Sequence, residues 1–272
     1  MNNMSIVEKI IRNNIRNLVP YSTARDEYSG EQAVFLDANE NPFYTGVNRY
    51  PDPSQSKLKV KISQIKNISY ERIFLGNGSD EAMDLLIRAF CEPGIDNVVS
   101  IKPTYGMYKV LADIHDTEFR EVLLTGEYQL DKEALLKVAD LNSTLLFINS
   151  PNNPTSNSFY HEDIVYLLEN FEGIVVLDEA YIDFSQQRSF MDSLDNYPNL
   201  VILQTFSKAW GMAGIRLGMA FASRDIISVM SRIKYPYNIN KLTQKFALQK
   251  LDEESEKNAW VKMILEQRNI LR

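Results

Sequence analysis

A single cysteine, Cys91, stands in the 272-residue chain, which excludes an internal disulfide and a cysteine-built zinc cage and fits a reducing compartment. It follows Ile87 by four residues on an apolar helical pattern and reads as packing. Glycine and proline are sparse, at 11 and 10, so the chain is neither collagen-like nor a low-complexity linker. Cations are outnumbered, 29 Lys and Arg against 36 Asp and Glu, and the net charge of −7 argues against nucleic acid as a partner. No apolar run approaches the ~20 residues of a membrane span. The opening MNNMSIVEKIIRNN has no basic segment followed by an apolar one, so no secretory signal and no membrane partner are expected, and the cytoplasm follows by elimination. The two histidines, His115 and His161, stand near no GxSxG and no metal-spaced set, so hydrolase and metal chemistry are not expected of them. What is present, 44% hydrophobic and 11% aromatic residues, is ordinary globular usage and enough for a sizeable core.

Residues 1–50 combine a short amphipathic opening with a loop holding Pro20, Gly30, Pro42 and Gly46, and read as an arm. The body, residues 51–240, alternates short apolar runs with helical patterns. The runs are VVSI at 98–101, REVLL at 120–124, TLLFIN at 144–149, IVVLDE at 174–179 and LVILQT at 200–205. Met83, Leu86, Ile87 and Phe90 share a helical face, with Ser79 available as N-cap and Pro93 and Gly94 as a stop. Short buried runs separated by helices predict an α/β fold, a mostly parallel sheet flanked by helices. Such sheets bind ligands outside the carboxyl ends of their strands. From 241 to 272 one helical pattern places Trp260, Met263, Ile264 and Leu271 on a face and runs on without Gly, Asn or Pro to end it, which predicts that a further segment normally follows.

The chemistry-bearing motifs fall at strand ends. GNGSDEAM joins glycines to a helix start, a shape that offers backbone N–H groups to a phosphate, although it lacks the endings of nucleotide-binding loops. PTYGMYKV offers Tyr105 to stack on a planar ligand. SPNNPT brackets Asn152 and Asn153 with prolines, and by itself is a turn. IVVLDEAY delivers Asp178, which is either a structural cap or the partner of a protonated ring nitrogen. TFSKAW places Lys208 past a buried run, either solvated or set as a nucleophile. A phosphate cradle, a stacking ring, an amide, an acid for a pyridine nitrogen and an amine for an imine together suit one cofactor, pyridoxal 5′-phosphate.

The order of GNGSDE, PTYGMY, SPNNPT, DEAY and TFSKAWGMAGIR resembles the fold-type I aminotransferases. With PYSTARDE at 20–27, ANENP at 38–42 and RYPDP at 49–53, the chain is most similar to the histidinol-phosphate aminotransferase family. The resemblance implies that Lys208 forms an imine with the cofactor, that Asp178 pairs with its ring nitrogen and that Asn153 and Tyr181 bond its hydroxyl. It implies Tyr105 as the stacking ring, with the phosphate held by backbone N–H groups at Ser79 and Asp80, by Thr205 and Ser207 and by Arg216. Tyr50 would reach a neighbouring subunit's cofactor in a homodimer, and Tyr21 and Asn39 would lie near the substrate. The implied domains are an arm and the start of a small domain at 1–50, a cofactor-binding large domain at 51–240, and a helix at 241–272 leading toward a small C-terminal domain that is largely absent. The implied reaction is amino transfer between L-histidinol phosphate and 2-oxoglutarate in histidine biosynthesis. Two departures stand beside it: Ser156 replaces the family's glycine in SPNNPTG, and the segment that supplies an arginine for the substrate's anionic group lies past the end of this chain. An aromatic-amino-acid aminotransferase, a threonine-phosphate decarboxylase and a cofactor-binding but inactive dimer are the alternatives.

Overall fold

The computed structural model of the chain describes residues 5–22, 36 and 38–271. Most of PYSTARDE, residues 23–27, lies outside the described residues, as do Gly30 and Arg272.

Seven strands build one sheet: β1 (Ile73–Asn77), β2 (Asn97–Lys102), β3 (Glu118–Leu123), β4 (Ser143–Asn149), β5 (Ile174–Asp178), β6 (Leu200–Thr205) and β7 (Leu217–Phe221). Their order is β1-β7-β6-β5-β4-β2-β3. All pairings are parallel except those of β7, which runs antiparallel between β1 and β6. The five expected apolar runs are β2 to β6. β7 carries no such signal, because LGMAF is short and has no β-branched residue.

The helices are α1 (Ile6–Ile10), α2 (Asn13–Arg16), α3 (Ser56–Lys66), α4 (Gly78–Phe90), α5 (Met107–Ile114), α6 (Lys132–Val138), α7 (His161–Asn170), α8 (Arg224–Ile233), α9 (Lys241–Lys250) and α10 (Glu254–Ile270). They cover both faces of the sheet. Successive strand residues point to opposite sides, so Val98, Leu145, Val176 and Val201 join one core while Val99, Leu146, Val175 and Ile202 join the other. The first core is closed by α4, α5 and α8, the second by α3, α6, α7 and α9. Val7, Ile11 and Ile15 of the opening segment belong to the α4 side core, and Arg12 fastens them by an ion pair to Glu92 at 3.2 Å. That part of residues 1–50 is therefore packed against the body.

Two local expectations are corrected. Ser79 is not the N-cap of α4: the helix begins one residue before it, at Gly78, and Asn77 precedes the helix with its backbone N–H donating to the Glu81 carboxylate at 2.5 Å. A carboxylate reaching back from the first turn satisfies the donor that a serine cap would leave to another group. The pattern from 241 is not one helix either. It breaks after Lys250, where the Leu251 N–H bonds the Ala247 carbonyl and Lys61 holds Asp252 at 2.5 Å. Trp260 is half-buried, whereas Met263, Ile264 and Leu271 are exposed. Cys91 is buried against Thr144, its Sγ 3.0 Å from Oγ1, and burial pushes the thiol up to about 12, so it packs as expected. Among the described residues no helix is long and apolar enough to cross a membrane.

Candidate active site

Because β1, β4, β5 and β6 run parallel, the loops and helices that leave their carboxyl ends emerge at one edge of the sheet. There α4 starts, the 150–158 loop leaves β4, Asp178 ends β5 and the 206–216 loop leaves β6. A cavity of about 140 Å³ lies between them. Ser79 and Asp80 line it from α4, Tyr105 from the start of α5, and Asn153 from the loop after β4. Asp178 and Tyr181 line it from the end of β5, and Thr205, Ser207, Lys208 and Arg216 from β6 and its loop. These are the residues that the sequence brings forward for one site, and the fold gathers them.

The cup where α4 begins is built on two close approaches. Gly78 sits at φ +73°, and a Cβ there would lie 2.8 Å from Arg216 Nη2. Gly218 of β7 lies directly behind it: a Cβ would lie 2.2 Å from both the Gly78 carbonyl carbon and the Ser79 nitrogen. The Gly78 N–H donates to the Arg216 carbonyl at 2.9 Å, and Arg216 is held at φ 51°, a left-handed conformation that a side chain disfavours. The result turns a guanidinium toward the positive end of a helix whose first N–H groups have no intrahelical acceptor. Asp80 takes a part that was not expected of it. Its carboxylate accepts from Arg216 Nη2 at 3.4 Å and from the Tyr105 hydroxyl at 3.3 Å, which ties the Tyr105 ring to the cup. Burial, and then the Asp80 charge, push the Tyr105 phenol up to about 12.

The 206–216 loop is anchored by buried Phe206, Trp210 and Met212. Thr205 Oγ1 accepts from the Ser207 N–H at 3.1 Å and so shapes the turn that leads to Lys208. Lys208 is exposed, and its Nζ stands 5.2 Å over the Tyr181 ring. Asp178, by contrast, is buried, and burial pushes its carboxyl up to about 6 against the lowering pull of the Tyr108 hydroxyl and the Ala180 N–H.

Asn152 and Asn153 divide the work of the turn. Asn152 is buried and structural, donating to the Pro103 carbonyl and Thr155, while Asn153 faces the cavity. Two residues that the motif chemistry does not single out also shape the site. Asn149, the last residue of β4, accepts from the Asn153 N–H at 2.7 Å and donates to the Asp178 carbonyl at 2.9 Å, fixing two walls together. Tyr108 donates to Asp178 Oδ2 at 2.8 Å. A polar residue ending an apolar strand at the ligand edge is the signal that could have found Asn149. Tyr50, Tyr21 and Asn39 do not line the cavity: Tyr50 stacks on Tyr237 with centroids 4.4 Å apart, and Tyr21 and Asn39 are exposed. Among the described residues no group of three or more His, Cys, Asp or Glu side chains could hold a metal ion. A second recess of about 600 Å³ shares Asn153 and Tyr181 and is lined further by Ile264, Leu265 and Arg268 of α10.

The family described as "Aminotransferase class I and II" matches residues 32–272, which carry the sheet and the cavity. Histidinol-phosphate aminotransferase of Bacteroides fragilis strain YCH46 is 56% identical over 98% of this chain and 78% of its own length. That of Flavobacterium johnsoniae is 52% identical over 97% and 77%. The chain belongs to this family. Among solved structures, histidinol-phosphate aminotransferase from Sinorhizobium meliloti, in complex with pyridoxal-5′-phosphate, shares the fold with TM-score 0.76 at 23% identity, over 81% of this chain and 61% of that one. L-threonine-O-3-phosphate decarboxylase from Porphyromonas gingivalis shares it with TM-score 0.68 at 21% identity, over 78% and 66%.

Proposed function

We propose that the chain is a pyridoxal-phosphate-dependent transaminase that exchanges an amino group between L-histidinol phosphate and 2-oxoglutarate. The observation that carries the reading is the convergence of Lys208, Asp178 and the Arg216 cup on one cavity. The cup suits a phosphate dianion, since it combines a helix start, two hydroxyls and a planar guanidinium, and a side chain at Gly78 would fill it. Buried Asp178 suits a protonated ring nitrogen, which would hold the carboxylate in its charged form.

When bound, the cofactor supplies an aldehyde carbon for amine exchange and a ring that withdraws electrons from the donor's Cα. The chain supplies the rest. Lys208 Nζ would be the nucleophile that holds the cofactor and the base that moves the proton from the donor's Cα, work worth about 10²–10⁴-fold. Asp178 keeps the ring nitrogen protonated by opposing its charge, a preorganised interaction that strengthens as charge develops. Tyr105 would support the ring's face, Asn153 and Tyr181 would meet the ring hydroxyl, and the backbone N–H groups of Ser79 and Asp80, the Thr205 and Ser207 hydroxyls and Arg216 would hold the phosphate. The adjoining recess gives room for the donor's side chain, with Arg268 its one charged lining residue among the described residues. Steady-state rates with L-histidinol phosphate, phenylalanine and threonine phosphate test the substrate. The phosphate-bearing imidazole donor should exceed phenylalanine by at least about 100-fold in kcat/KM, as expected where a site pairs a buried polar group. Equal rates, or carbon dioxide release from threonine phosphate, would assign the chain to one of its alternatives.

The working unit is a homodimer in which Tyr50 reaches the partner's cofactor and Tyr21 and Asn39 approach the substrate. Exposed Tyr44, Phe43 and Val47 on the segment beside Tyr50 give that surface the apolar character a lasting contact needs. Sedimentation equilibrium should return twice 31.3 kDa, and a monomer mass would remove Tyr50 from the site.

A further inference from the structure

Asp178 is held from both sides. Its Oδ1 accepts from the Ala180 N–H at 3.0 Å and its Oδ2 from the Tyr108 hydroxyl at 2.8 Å, so each oxygen keeps a lone pair for a donor in the cavity. The Ala180 contact is local, two residues along the chain. The Tyr108 contact joins α5 to the end of β5 across 70 positions. Tyr108 is fully buried, and its ring is fixed by stacking on Phe147 of β4, with centroids 4.9 Å apart, and by an edge contact with Tyr105 at 5.6 Å. Asp178 is the acceptor that its hydroxyl reaches, and a buried phenol commonly needs one.

We infer that Tyr108 is a positioning residue, which through its hydroxyl keeps Asp178 ionised and aimed at the ring nitrogen of the cofactor. The inference rests on the cofactor reading above. It deepens that reading because neither motif chemistry nor the cavity lining assigns Tyr108 a part. The physical need is plain. A carboxylate removed from water favours its protonated form, and a protonated Asp178 cannot oppose a pyridinium charge. The groups facing Asp178 do not supply enough help alone. Asp80 of α4 raises its carboxyl, while Lys208 beyond β6 lowers it less than the hydroxyl of Tyr108 does. Tyr105 and Tyr181 line the same cavity, and Asn149 bonds the backbone carbonyl of Asp178. The Tyr108 phenol is itself pushed well above its usual value, by burial and by the Asp178 charge, so it remains a donor throughout the working range.

The test uses Tyr108→Phe, which keeps the ring and its stacking and removes one oxygen. With aspartate carboxyl carbons labelled with carbon-13, the resonance lost in Asp178→Asn identifies Asp178, and its pH titration is followed in cofactor-free protein. The wild-type midpoint should lie near pH 6, and in Tyr108→Phe it should move up by about one unit, the size expected for a hydrogen bond to a charged group. Pyridoxal phosphate affinity at pH 6, read by fluorescence quenching, should fall about fivefold as the ionised fraction of Asp178 falls, and that fall should vanish when Tyr108→Phe is made in the Asp178→Asn background. An unchanged midpoint, or a fivefold loss that persists in that background, overturns the inference. Should Tyr108→Phe fail to fold, 3,5-difluorotyrosine at 108, a stronger donor of nearly the same shape, should move the midpoint down, and no movement overturns the inference. The titration needs no cofactor, so failure of the wild type to bind pyridoxal phosphate would defeat the cofactor reading while leaving the Tyr108–Asp178 coupling to be judged by the midpoint alone.

Discussion

Replacing Lys208 with alanine is expected to abolish turnover, lowering kcat by about 10⁴-fold or more, because in the proposed reaction one amine would serve as both the nucleophile that holds the cofactor and the base that moves the proton. The fold should survive. Lys208 is exposed and its Nζ meets the Tyr181 ring at 5.2 Å, while the loop around it is anchored by Phe206, Trp210 and Met212. The measurement is a single-turnover rate together with mass spectrometry after borohydride reduction. The wild type should carry the cofactor on the peptide containing Lys208, and the variant should carry none while melting within about 2 °C of the wild type, as exposed substitutions do. Covalent cofactor found on another lysine of the variant, with activity, would move the nucleophile elsewhere. Lys59 and Lys66 are the instructive comparison. Burial pulls both down from their usual range, yet neither lines the cavity. Depressed basicity away from the ligand edge is a consequence of packing, and only geometry separates it from function.

Gly218→Ala is expected to have the other large effect, with no charge or hydrogen bond removed. The added methyl would meet backbone on the far side, the Gly78 carbon and the Ser79 nitrogen each at 2.2 Å, and neither can swing away as a side chain would. Either β7 separates from β1, losing the pairing of Gly218 with Gly76, or the start of α4 is pushed out of the cup. Overpacking of this kind costs about 3 kcal/mol, or a fall of about 6–12 °C in Tm for a chain of this size. Cofactor affinity should drop more than tenfold, because the displaced N–H groups are those proposed to face the phosphate. A variant that melts and binds like the wild type would mean that the cup yields without penalty. Gly46 is the control: nothing lies within 4 Å of a Cβ there, so Gly46→Ala should bear only the strain of its φ of +83° and leave cofactor affinity unchanged.

The contrast between these glycines shows what a sequence can and cannot convey. The five apolar runs were legible as strands because they are buried on both faces and read as unbroken apolar segments. Motifs at their ends were legible because a single edge of a parallel sheet must collect them. Gly218 was not, since its reason is the backbone of a helix that begins 140 positions earlier. β7 was hidden for a related cause: it is held by neighbours on both sides and needs little intrinsic strand preference of its own. Tyr108 sits on the buried face of α5, where an aromatic residue reads as core, and only its hydroxyl's reach to Asp178 distinguishes it. Asp80 was expected to contribute a backbone N–H, and its carboxylate turned out to join Arg216 to Tyr105. Tyr50, exposed and stacked on Tyr237, lies away from the strand ends that collect the other motifs.

Absorbance spectroscopy of the purified chain, first with pyridoxal phosphate and then with L-histidinol phosphate, separates a working transaminase from a chain that is not one. A visible band should form on loading, shift when the amine is added and return when 2-oxoglutarate is supplied next, with both changes lost in Lys208→Ala. A chain that forms no band with the cofactor, or one whose band ignores every amine offered, would contradict the transaminase reading.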